Sequence, residues 1–137
     1  MSIMKRLSLL VVLAVAVIIL LTGCPFIPKN ISLAGTWNLY ISVGGEVVTD
    51  AAIMEITSHA NGQLAGFVKA NPGSGSIGSV AGTTSSDNIT FIFTHISGER
   101  TVHFTGKFSR NAMHGTAIAY DNGTYVSGPH NWTAQRQ

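Results

Sequence analysis

Leu33-Ala34-Gly35-Thr36-Trp37-Asn38-Leu39-Tyr40-Ile41-Ser42-Val43 decides the fold, because after a short lead-in it alternates large apolar and polar side chains without a break. A period of two puts Trp37, Leu39, Ile41 and Val43 on one face and Asn38, Tyr40 and Ser42 on the other, the pattern of a strand with one dry side. It reads as the first strand of a small β-barrel, and every later segment can be checked against its inner lane.

The following turns are tested by that lane. Gly44-Gly45 signals a two-residue hairpin, which would set Ile41 opposite Val48 and Trp37 opposite Ala52. Ala60-Asn61-Gly62 reads as a three-residue loop with Gly62 at positive φ, so that Ile56 faces Gly66 and Met54 faces Val68; a strict two-residue Asn-Gly loop would put Lys69 inside. Ser86-Asp87 sets Phe91 against Gly82 and Phe93 against Val80. Ser97-Gly98 then pairs Phe93 with Val102, Phe91 with Phe104 and Ile89 with Gly106. Arg110-Asn111 pairs Phe108 with Met113 and Phe104 with Ala117, and Asn122-Gly123 pairs Ala119 with Val126 and Met113 with Trp132. The apolar side chains stay on one lane through about eight strands, with no helical stretch between them. This predicts an all-β, antiparallel up-and-down meander barrel, with a β-sandwich as the alternative.

Ahead of the barrel the chain has a different character. Lys5-Arg6 precede an apolar run from Leu7 to Leu21 that Ser8 alone interrupts, ending in Leu21-Thr22-Gly23-Cys24. A basic start followed by an apolar segment is an export signal, and the run is at or below the length of a spanning helix; a retained anchor helix is the other reading. Leu21, two small residues and Cys24 resemble the lipobox of bacterial lipoproteins. The resemblance implies cleavage after residue 23, a lipid on Cys24 and a membrane-anchored place in the cell envelope, on the outer membrane or facing the periplasm in a Gram-negative cell and on the outer face of the cell membrane otherwise. Two or more acyl chains anchor stably where one does not. The organisation is then a leader over 1–23, the lipidated cysteine and a tether over 24–32, and a barrel domain over 33–137.

Removing 1–23 of the 137 residues leaves 114, enough for one domain. Lys5 and Arg6 leave with the leader, so six basic residues balance six acidic ones, and nothing marks a nucleic-acid footprint. Cys24 is the only cysteine, so no internal disulfide can form.

Gly35-Thr36-Trp37 on the first strand resembles the Gly-x-Trp signature of the lipocalins and related calycin barrels. That resemblance implies a tryptophan plugging one end, with a basic residue of the last strand lying across it. The registers independently bring Arg136 to the same end as Trp37, where a cation–π contact can form. The Thr-Asp-Tyr motif of lipocalins is missing, with Tyr120-Asp121-Asn122-Gly123 only a faint echo, and Gly44-Gly45 leaves no room for a long lid. The short loops look more like those of the avidins, or of the small barrel inhibitors of secreted proteases.

At the opposite end, the inner lane carries Asp50, His95 and Arg100, with His130 lower down and Phe91, Phe93, Phe104 and Trp132 beneath. An apolar cup with a few convergent polar groups is what a small-molecule site needs, and this set is the candidate ligand-binding site. The five histidines lack metal-ligand spacing, and no nucleophile is paired with a base, so neither metal, cofactor nor enzyme activity is expected. The expected function is a non-catalytic binding barrel for a small apolar or amphipathic ligand. An envelope interaction or inhibitor module would instead use the turns and the outward row of Tyr40, Ile92, Ile118 and Tyr120.

Overall fold

The computed structural model describes residues 31–43, 46–47, 52–71 and 73–137. The leader, Cys24, Val48 and Asp50 lie outside them. The strands run in chain order as β1 (Gly35–Val43), β2 (Glu46–Val47), β3 (Ala52–Ala60), β4 (Gln63–Lys69), β5 (Ser76–Ser85), β6 (Asn88–His95), β7 (Arg100–Phe108), β8 (Ala112–Asp121) and β9 (Thr124–Arg136). Each long strand pairs antiparallel with the next, and β9 pairs back onto β1, so eight strands close into a meander barrel with the two-residue β2 folded against β1. Closure leaves no long open edge on the sheet.

Most of the expected pairings are present: Ile56 with Gly66, Met54 with Val68, Gly82 with Phe91, Phe91 with Phe104 and Phe104 with Ala117. The structure departs from the expectation at three places, in register at β1–β3 and β8–β9 and in turn length at β3–β4. Ser42 opposite Val47 is the Gly44-Gly45 register, but β3 then pairs two residues further on, so that Trp37 faces Met54 and not Ala52. The loop between β3 and β4 is the two-residue Asn61-Gly62, both at positive φ (53° and 73°), as a type I′ hairpin turn requires. A bulge at Thr57 absorbs the odd residue, which keeps Lys69 off the inner lane. In β9, bulges move the pairing by two positions. Trp132 therefore faces Gly115, Ala134 faces Met113, and Ser127, not Val126, faces Ala119; Val126 is 58% exposed.

A slip of one residue would have everted a strand. The slips in β3 and β9 amount to two, so the inner lane survives. An eight-stranded barrel is just wide enough for its own side chains to fill, and here large residues sit opposite small ones: Phe91 faces Gly82, Phe104 faces Ala117, and Trp132 faces Gly115. The glycines also let neighbouring strands approach closely. A Cβ on Gly115 would strike the Thr105 carbonyl oxygen.

Candidate functional site

Trp37 and Arg136 close one end of the barrel. Trp37 is fully buried and its indole Nε1 donates to the Leu33 carbonyl at 2.9 Å, which folds the lead-in, with buried Leu33, under the first strand. The Arg136 guanidinium lies 4.5 Å from the centre of the Trp37 ring. It also donates to three backbone carbonyls: Nη1 to Ala34 (2.8 Å), Nη2 to Ser32 (2.8 Å) and Nε to Arg110 (2.9 Å). Gly35 permits this crossing, because at its φ of 137° a Cβ would lie 2.9 Å from Nη1 of Arg136. The Gly-x-Trp pair is thus a clearance followed by a plug.

His59 completes the stopper. The bulge at Thr57 puts it opposite Leu64, on the inner lane. Its Nδ1 accepts the Leu33 N–H at 3.1 Å, which leaves the ring proton on Nε2, 2.9 Å from Thr84 Oγ1. One neutral imidazole therefore ties the lead-in to β3 and β5. The alternation alone does not bring His59 inward, since the bulge that does so leaves no mark in the pattern of apolar residues.

Midway up, Phe91, Phe104 and Trp132 form a layer in which each is 1% exposed. Phe91 and Phe104 stack at 4.5 Å, and Trp132 meets both edge-on at 5.4 Å, geometries that suit the ring quadrupoles. The Trp132 Nε1 is shared between the carbonyls of Thr105 and Thr116, at 3.1 Å each. These three rings are a floor more than a lining.

Above the floor the inner lane changes. Ile41, Ala52, Phe93 and Val102 pack on the core but are only half-buried, as are His95 and His130. His130 Nε2 is 3.1 Å from Ser127 Oγ. His95 Nδ1 accepts the Ser97 N–H at 3.2 Å, which places its proton on Nε2. Arg100 is exposed at the rim, opposite Asp121 across β7 and β8. The registers set Phe93, His95, Arg100 and His130 toward one end of the barrel, Phe91, Phe104 and Trp132 at mid-height, and Trp37 and Arg136 at the other end. Asp50 lies outside the described residues.

A groove of about 410 Å³ lies elsewhere, against the outer face of β4, β5 and β6. Phe67, Ser79 and Thr94 run along it, the turn after β6 walls it, and it shares only His95 with the expected ligand-binding set.

No family model matches the sequence, and no curated protein sequence matches it. Among solved structures, the chain is similar to bradavidin2, determined as its complex with biotin, with a TM-score of 0.56 and 16% identity over 75% of this chain and 95% of that one. At that identity the likeness carries the architecture alone: the chain is an all-β, closed eight-stranded meander barrel with an avidin-like neighbour.

Proposed function

We propose that this protein is a non-catalytic binding barrel that holds a small apolar or amphipathic ligand in its open half, and that a lipid on Cys24 tethers it in the cell envelope. The observation that carries the first part is the change along the inner lane. On the Trp37 side of the Phe91–Phe104–Trp132 layer Met54, Ile56, Ile89 and Met113 are buried, with Phe108 only partly so; on the other side Ile41, Ala52, Phe93 and Val102 are partly buried apolar groups beside His95 and His130. Apolar walls with few polar groups suit ligand capture. The likeness to a barrel solved with biotin supports the same use of the fold. The tether reading rests on the lipobox.

Native mass spectrometry of the protein purified from its own host tests the binding reading. A small molecule should accompany the wild type and be lost from Ala119→Phe, which fills the open half from an inner-lane position opposite Val102. Equal recovery of one species from both proteins would contradict it. An interaction module is favoured by one observation: on the outer face Ile92, His103 and Ile118 are direct cross-strand neighbours, with Ile92 38% exposed.

A further inference from the structure

We propose that the groove outside the barrel, between Phe67 and the turn after β6, is a second binding site, and that its ligand is a neutral pyranose sugar. The site is built by register. Phe67 pairs with Ser79 and Ser79 pairs with Thr94, so the three outward side chains stand side by side across β4, β5 and β6. The chain then turns back over them. Ile96 donates its N–H to the Ile77 carbonyl at 2.9 Å and Gly98 donates to the His95 carbonyl at 2.8 Å, which raises a wall carrying the 76% exposed Ile96. The groove of about 410 Å³ falls at the small end of the range of about 300–1,000 Å³ that ligand sites occupy.

Its chemistry selects the ligand class. None of the lining residues carries a fixed charge. Lys69, 5.3 Å from the centre of the Phe67 ring, is paired with the Glu55 carboxylate at 3.8 Å. A strongly anionic ligand therefore finds no partner. The Ser79 and Thr94 hydroxyls can each donate and accept. The His95 ring is held through Nδ1 by the turn at Ser97, which leaves Nε2–H as a donor at the rim. An acyl chain laid here would cover these polar groups without satisfying them, which is costly. A sugar ring has what the groove lacks, with C–H faces for Phe67 and Ile96 and edge hydroxyls for Ser79, Thr94 and His95. The site shares His95 with the cup, but the side chains of Phe67, Ser79 and Thr94 point away from the inner lane, so those contacts belong to the groove alone.

The test is an NMR titration of the full chain, in a detergent without a sugar headgroup, with methyl β-D-glucopyranoside as probe. Saturable amide shifts are expected at Ser79, Thr94 and Ile96. Thr94→Val should weaken binding by up to about tenfold, the loss of one hydrogen bond, and Ser79→Ala should weaken it in the same direction. Ala119→Phe should leave it unchanged, which separates this site from the cup. Shifts that do not saturate, shifts confined to Ile41 and Val102, equal affinity in Thr94→Val and wild type, or a peptide or decanoate that occupies the groove where the sugar does not would each overturn the proposal.

Discussion

Trp37→Ala is expected to lower the unfolding free energy by about 3–5 kcal/mol, the cost of removing a large buried ring from a site that cannot fully collapse. Against a typical total of about 5–15 kcal/mol, that is a large share. The ring is fully buried, its N–H holds the Leu33 carbonyl, and Arg136 rests on its face. The cavity would open where the first and last strands meet, and Arg136, fixed by three carbonyls, is poorly placed to fill it. Thr90→Ser, on the exposed face of β6, should stay within about 0.5 kcal/mol. Urea midpoints of the two variants check this. Equal shifts would mean that Trp37 is not the stopper of the barrel.

The second large effect is expected at the floor. Trp132→Ala should also cost about 3–5 kcal/mol, because it takes the edge-on partner from both Phe91 and Phe104 and leaves the Thr105 and Thr116 carbonyls without their shared donor. Phe93→Ala, one layer higher and half-buried, should cost about half as much while weakening ligand binding more per unit of stability lost. Denaturation and ligand retention measured on both variants separate the two layers. If Phe93→Ala proves the more destabilising, the floor lies at Phe93 and not at Trp132.

The lane of alternating residues was legible in the sequence because its physical signal, one dry face per strand, is repeated in every strand and checked at every turn. The irregularities were not legible. Thr57 looks like any polar residue of a strand, yet its bulge restores a two-residue Asn61-Gly62 turn and swings His59 inward. The two-position slip in β9 moves Trp132 from Met113 to Gly115, and both registers keep the indole inside, so alternation cannot choose between them. Packing can, since an indole fits over a glycine. The Trp37–Arg136 contact was within reach because it needs only parity and strand direction. The outer groove was not, because its wall comes from the chain curling after His95, and no periodic pattern encodes such a curl.

The central claim is that the barrel is stoppered below, floored by three rings and open to a ligand above. The measurement that tests it most directly is a methyl NMR titration with decanoate, an amphipathic probe whose carboxylate suits the rim at Arg100. Saturable shifts are expected at Ile41 and Val102, above the floor, with the methyls of Ile92 and Ile118 on the outer face unmoved. Shifts at Ile92 and Ile118 alone, with Ile41 and Val102 silent, would contradict it and assign binding to the outside of the barrel.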